Sequence, residues 1–191
     1  MKIVLPEKVK FIIETLETHG YEAYAVGGCV RDTMLHRTPG DWDITTQAKP
    51  EQVKEIFAEK NIHTIDTGIQ HGTVTVMVEH EDARHPKNVQ FTASLLEDLK
   101  RRDFTINAMA YNDKNGLIDA FDGVGDLERG VIRCVGCAME RFSEDALRML
   151  RAVRFAAQLG FDIEAETKEA MVKLAPDIAK ISAERIQTEL V

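Results

Sequence analysis

The apolar residues of this chain change their spacing once, and the change falls at a cluster of glycines. Up to about residue 135, strand-like and helix-like segments alternate; beyond it the patterns read as helix. Gly116, Gly123, Gly125, Gly130 and Gly136 crowd the junction, and glycine at such density marks turns. A mixed part followed by a helical part, with a hinge between them, is therefore the architecture to expect. With 191 residues the chain is long enough to bury a core without disulfide staples.

Within the mixed part, Val9, Ile12, Ile13 and Leu16 form a helical stripe over residues 6–19, stopped by Gly20. Residues 21–26 read as a strand running into Gly27-Gly28, and 30–35 as a short helix. A strand over 41–45 follows the Thr38-Pro39-Gly40 turn, and Pro50 opens a helix to Lys60. Residues 73–78 alternate as a clear strand. Residues 95–99 and 103–110 look helical, 119–130 read as turns and 131–135 as a further strand. From Ser143 the pattern is helix to the end.

The composition, 44% hydrophobic and 29% charged, excludes disorder and fibre. The longest apolar runs fall short of the ~20 residues of a membrane span, and the N-terminus lacks signal-peptide features. The net charge of −8 by itself speaks against a nucleic-acid binder. Three cysteines, Cys29, Cys134 and Cys137, fit a reducing cytoplasm better than a disulfide framework. Cys134 and Cys137 form one C-x2-C with no second ligand pair at useful spacing, so two small core or turn cysteines are expected rather than zinc.

Four strings carry chemistry. In Gly27-Gly28-Cys29-Val30-Arg31-Asp32, paired glycines after a strand let a ligand approach the backbone, a helix N-terminus adds positive potential, and Arg31 can grip a phosphate. The plain alternative is a tight turn with an Arg31–Asp32 salt bridge. In Asp41-Trp42-Asp43-Ile44, the two carboxylates of a strand share a face while Trp42 and Ile44 pack on the other. Like charges side by side call for a cation, and paired carboxylates suit Mg²⁺ with a triphosphate. In residues 101–108, Phe104 and Ala108 can pack, leaving Arg101, Arg102 and Asn107 for phosphate or ribose. The fourth string puts Asp145, Arg148, Arg151 and Arg154 at three-residue spacing along one side of a helix, while Leu147, Leu150 and Val153 turn to the core. Asp145 and Arg148 can pair as i,i+3 neighbours, and a salt-bridged surface helix is the plain alternative. In the functional version Asp145 accepts from an exocyclic amine and Arg148 donates to the adjacent ring nitrogen. Cytosine and adenine both present that edge; guanine and uracil do not. His36, His71 and His85 read as loop or surface residues rather than catalytic bases.

Taken together, VGGCVRD, GDWDITT, GTVTV, RRDFTINAMAYN, the Asp/Gly-rich junction, ERFSEDALRMLRAVRFAAQLGF and IAKISAERIQTEL resemble the class II tRNA nucleotidyltransferases (CCA-adding enzymes) and the related bacterial poly(A) polymerases. The strings follow the family order over nearly the whole chain. The resemblance implies an α+β fold: a polymerase-β-like nucleotidyltransferase head, a mixed sheet flanked by helices, over 1–136, and an all-helical neck over 137–191. It implies Mg²⁺ on Asp41 and Asp43, with these two as the catalytic residues. It implies nucleotide contacts from Gly27, Gly28, Arg31, Arg102, Asn107, Asp145, Arg148, Arg151 and Arg154, with Asp145 and Arg148 acting as a protein template for C and A. The implied reaction is cytoplasmic, with no membrane: attack of a tRNA 3′-hydroxyl on the α-phosphate of CTP or ATP, releasing pyrophosphate.

Two departures from the family stand out. After GTVTVMV the family continues through a further strand, carrying a third acidic residue, and a flexible loop. Here residues 79–86 follow at once, and Glu79 or Glu81 is left to substitute. Family members also extend into body and tail helices that hold tRNA, so the chain reads as the head-and-neck piece of a longer protein. Alternative readings are a poly(A) polymerase, a CC-adding or A-adding enzyme, a nucleotide-binding core with little turnover, and, less favoured, a small-molecule nucleotidyltransferase.

Overall fold

The computed structural model describes residues 2–68, 72–78 and 87–190. His71, His85, Glu79 and Glu81 lie outside the described residues. Two compact units form, one from Met1–Leu99 with Met109–Ile118, the other from Lys100–Ala108 with Asp119–Val191.

The first unit is built on a mixed sheet in the order β3-β4-β5-β2-β1-β6-β7. Its strands are β1 (Ala23–Val26), β2 (Asp43–Thr46), β3 (His63–Gly68), β4 (Thr73–Met77), β5 (Lys87–Phe91), β6 (Met109–Asn112) and β7 (Gly116–Asp119). Pairing of β2 with β5 is parallel; β1 with β2, β1 with β6, β3 with β4 and β4 with β5 are antiparallel. Helix α1 (Glu7–Thr18) buries Val9, Ile12, Ile13 and Leu16, the stripe its sequence shows, and packs on β1 and β2. Helix α3 (Pro50–Glu59) buries Val53, Ile56 and Phe57 against β3 and β4. The short α2 (Gly28–Met34) packs on β1 and β6, and α4 (Leu95–Lys100) forms where residues 95–99 read as helix.

Four strands of this sheet escape the sequence reading: β3, β5, β7, and β6, whose first residues lie within the helix expected over 103–110. Neither β3, HTIDTG, nor β5, KNVQF, shows an apolar alternation, because β3 is mostly exposed and β5 is half polar. The place beside β2 is thus filled by β5, and β5 carries no carboxylate. A second difference concerns β2, which starts at Asp43 rather than Asp41. The alternation of exposure nonetheless continues back past the strand end: Asp41 and Asp43 are exposed, Trp42 and Ile44 buried.

The second unit holds α5 (Gly123–Arg129), α6 (Ala138–Glu144), α7 (Leu147–Leu159), α8 (Ala165–Leu174) and α9 (Ala183–Leu190). The helical run from Ser143 is interrupted in three places. Asp145 leaves helical geometry between α6 and α7, with φ −151° and ψ 103°. A two-residue strand β9 (Asp162–Ile163) pairs in parallel with β8 (Val131–Ile132). Residues Ala175–Lys180 form a tight 3-10 segment. Fully buried Phe104, Ile106, Ile132, Phe142 and Met149 make the core, with Phe104 edge-on to Phe155 at 6.0 Å. On α7 the buried set is Leu147, Met149, Ala152 and Phe155, while Val153 is 52% exposed. A three-residue stripe rotates by about 60° per step against the 3.6-residue turn, so by Val153 it has left the core.

Among the buried polar atoms, the Thr45 hydroxyl, on a residue only 1% exposed, has no hydrogen-bond partner among the described residues. Such a hydroxyl costs on the order of 1 kcal/mol. Thr45→Val is expected to stabilise the chain by about that amount, read as a higher melting temperature in thermal unfolding followed by circular dichroism.

Candidate functional site

In the first unit, strand pairing sets the site. Val26, the last residue of β1, lies opposite Asp43, the first of β2. The glycine turn and the aspartate pair therefore stand at the same end of the sheet. Gly27 turns the chain with φ +85° and ψ −135°, a conformation open to glycine and strained for other residues, and its N–H donates to the Met109 carbonyl at 3.1 Å. Gly28 opens α2, and the Arg31 guanidinium folds back over it, 3.5 Å from where a Cβ on residue 28 would sit. Both Nε and Nη2 of Arg31 donate to Asp32 Oδ1 at 2.8 Å, so the salt bridge of the plainer reading is present.

The charges around Asp41 and Asp43 come from residues the sequence did not single out. Burial pushes the Lys87 ammonium below its usual pKa, while Asp41, foremost of the carboxylates facing it, works in the other direction. Asn88 is the direct cross-strand partner of Asp43. Cys29 is buried, and its thiol is pushed up to about 11, chiefly by that burial, so it is protonated at neutral pH. Two exposed carboxylates on one side of the chain form an oxygen-only donor set, which fits a hard divalent cation that completes its shell with water or phosphate. Among the described residues no group of three or more His, Cys, Asp or Glu is gathered to hold a metal. Cys134 is a core residue, its thiol raised to about 12 mainly by burial, and Cys137 caps α6 at the surface.

In the second unit, Arg102, Asp145, Arg148 and Arg151 line one cavity of about 350 Å³, together with Asp103, Leu147, Arg185 and Glu189. Asp145 and Arg148 do not pair with each other. Because Asp145 sits at the break before α7, its Oδ1 accepts from the Leu147 N–H at 3.1 Å and its Oδ2 from Arg185 Nη2 at 2.8 Å. Arg148 instead reaches one turn back to Glu144 at 2.7 Å and to the Arg141 and Arg101 carbonyls. Arg151 donates to Asp103 at 2.7 Å and to Glu189 at 3.2 Å; Arg154 donates to Glu189 at 2.8 Å. Burial works against the Arg151 charge, but Asp103 and Glu189 outweigh it and raise its pKa. Arg154 does not line the cavity; its guanidinium lies 4.6 Å from the centre of the Phe155 ring. Asn107 is buried, and its amide donates to Asp103 at 3.2 Å.

Sequence reasoning thus missed Asp103, Glu144, Arg185 and Glu189, the partners that hold the candidate residues. Arg185 and Glu189, one turn apart on α9, are a signal the sequence offers, since side chains four residues apart share a helix face. Asp126 is a further buried carboxylate, accepting from Thr105 at 2.7 Å, Arg129 at 2.8 Å and Arg133 at 3.1 Å. Gly125 permits the Asp122 carboxylate to turn in toward Arg129: a Cβ there would lie 2.5 Å from Asp122 Oδ1.

The first unit thus presents a mixed sheet with a glycine turn and an aspartate pair at one strand end. Residues 23–133 match the family model described as the poly A polymerase head domain, and residues 160–191 match a probable RNA and SrmB-binding site of polymerase A. The chain is 54% identical over 192 residues to the CCA-adding enzyme of Leuconostoc mesenteroides subsp. mesenteroides, covering 93% of this chain and 47% of that one. It is 51% identical to the CCA-adding enzyme of Lactiplantibacillus plantarum, covering 96% and 47%. Its structure resembles the Bacillus stearothermophilus CCA-adding enzyme in complex with CTP, with a TM-score of 0.89, 45% identity, and coverage of 98% and 48%. A CCA-adding enzyme in complex with ATP gives 0.83 at 28% identity, covering 100% and 50%. The chain belongs to the family of the CCA-adding enzymes and poly(A) polymerases, and it spans about half the length of these relatives. No helix among the described residues is long and apolar enough to cross a membrane.

Burial alone would raise the Asp126 carboxyl, but hydrogen bonds from Thr105, Arg129 and Arg133 hold it below its ordinary value. A folded-state pKa below the unfolded one gives stability that is full above the ordinary aspartate range and lost as pH falls through the lowered value. Asp126→Asn is expected to destabilise the chain at pH 7 and to flatten the acid limb of its stability, measured by urea unfolding between pH 7 and pH 3.

Proposed function

We propose that this chain is the catalytic core of a CCA-adding enzyme. It transfers CMP and AMP from CTP and ATP to the 3′ end of tRNA: the terminal hydroxyl bonds to the α-phosphorus, the α–β phosphoanhydride breaks, and pyrophosphate leaves. The observation that carries the reading is the cavity of about 350 Å³ in which Asp145 and Arg148 are each held by other partners. An acceptor-only carboxylate fixed by Arg185 and a donor-only guanidinium fixed by Glu144 offer a base the complement of the amine-and-ring-nitrogen edge that cytosine and adenine share. Arg102 and Arg151 line the same cavity and serve the triphosphate; Arg154 and Asn107, outside its lining, are assigned with them through their bonds to Glu189 and Asp103.

In the first unit, Asp41 and Asp43 are the residues to hold Mg²⁺, which when bound activates a hydroxyl and neutralises a leaving pyrophosphate. Gly27, Gly28 and Arg31 supply backbone approach and a guanidinium for phosphate. In functional terms the head is assigned to residues 1–136 and the neck to 137–191, a division supported by family matches that end at 133 and resume at 160. A tRNA substrate places the work in the cytoplasm, with body and tail segments needed for firm tRNA binding. The description of the matched head as that of a poly A polymerase keeps poly(A) synthesis as the second reading; sequencing the 3′ ends made on tRNA lacking CCA separates the two.

Calorimetric titration with Mg²⁺ present is expected to show CTP and ATP binding at least about tenfold tighter than GTP and UTP, since a mismatched buried polar edge costs about 1–3 kcal/mol. Arg148→Ala is expected to weaken CTP and ATP alike by about tenfold, the loss of one charge-assisted bond. Asp41→Ala is expected to cut pyrophosphate release about thousandfold, or about 4 kcal/mol. Equal binding of GTP and CTP, or CTP binding untouched by Arg148→Ala, overturns the template reading.

A further inference from the structure

One row of side chains on the sheet runs directly out of the aspartate pair. Asp43 of β2 lies opposite Asn88 of β5, and Asn88 lies opposite Thr75 of β4. Residues directly opposite in a sheet share a face, on strands about 5 Å apart. The row is hydrogen-bonded at its far side. The Thr75 hydroxyl, on a residue 1% exposed, donates to Asn88 Oδ1 at 2.9 Å. A hydroxyl has one proton to give, so the 2.7 Å contact between Thr67 and Thr75 has Thr67 as its donor. A chain of two hydroxyls therefore anchors the oxygen of the Asn88 carboxamide on the β4 side. The carboxamide nitrogen keeps two donors to give, and the next residue of the row on β2 is Asp43.

We propose that Asn88 is a positioning residue for Asp43: its carboxamide, locked by Thr75, presents N–H donors to the Asp43 carboxylate and fixes the orientation in which that carboxylate takes a divalent cation. The inference deepens the metal reading of Asp41 and Asp43 and rests on it. A carboxylate ligand held by an outer hydrogen bond loses less freedom on binding metal, and removing such a partner typically weakens metal affinity by about 10–100-fold. A neutral amide suits this row position. A carboxylate at 88 would face Asp43 across the strands and repel it unless a cation stood between them.

The probe is Mn²⁺, titrated into the whole chain and followed by electron paramagnetic resonance, with melting temperatures measured with and without the ion. Asn88→Ala is expected to bind Mn²⁺ at least about tenfold more weakly than the parent, with the metal-free melting temperature little changed. Asn88→Asp is expected to melt below the parent without metal and to recover on adding Mn²⁺, a metal-linked gain that a merely structural asparagine would not produce. Should Asn88→Ala fail to fold, Asn88→Asp decides alone. Parent-like Mn²⁺ affinity in Asn88→Ala, or no extra Mn²⁺ stabilisation in Asn88→Asp, overturns the role of Asn88. If the parent itself binds no Mn²⁺, or Asp43→Asn binds it undiminished, the metal reading fails and this inference with it.

Discussion

The Asp103 carboxylate is the tie on which the order of the candidate base-reading cavity depends. One oxygen accepts from the Phe104 N–H at 2.8 Å and the Asn107 amide at 3.2 Å; the other accepts from Arg151 at 2.7 Å. The first pair of bonds shapes the turn that follows Arg102, and the third joins that turn to α7. Asp103 is only 8% exposed. A charge so placed is costly unless its partners are all present, so the tie has one good arrangement rather than several. Phe104 and Phe155, edge to face at 6.0 Å, press the same two segments together from the apolar side. Packing and charge thus fix the same relation twice, and the positions of Arg102, Arg148 and Arg151 around the cavity follow from it.

The sequence carried the parts of this whose signal is periodic. The stripe of α1, the entry into Gly27 and the alternation around Asp43 are local patterns, and each appears where the spacing puts it. What was not legible depends on pairing between distant segments. Strand β5 has no internal alternation to announce it; it is a strand because β2 and β4 bond it on both sides. The partners of the candidate arginines were hidden for the same reason. Asp103 and Arg151 are 48 positions apart, and Arg185 and Asp145 are 40 apart. The break at Asp145 was missed through a different fault. A helical reading of Ser143 to Arg154 satisfied its charge spacing, but a local turn competes with it: the Asp145 carboxylate accepts from the Leu147 N–H two residues on, an Asx turn just ahead of α7.

The neutral block from 101 to 154, nine basic and nine acidic residues, takes on a physical meaning from these pairings. Its arginines are not a bare basic patch. Arg148 is matched by Glu144, Arg151 by Asp103, Arg129 and Arg133 by Asp126, and Glu189 from α9 joins Arg151 to Arg154. Such matching keeps long side chains in fixed rotamers before any ligand arrives, which reduces the ordering a ligand must impose.

The same matching constrains how an anion can bind. A phosphate that meets an unpaired arginine gains the full charge-assisted bond. One that meets Arg151 must share the guanidinium with Asp103 and Glu189 or displace them, so the net gain per contact is smaller. On the proposed template reading, selectivity comes less from summed positive charge than from the fit of a base edge to groups already held in place. In a chain at −8 overall, negative charge in the partners is what holds the positive charge around this cavity in position.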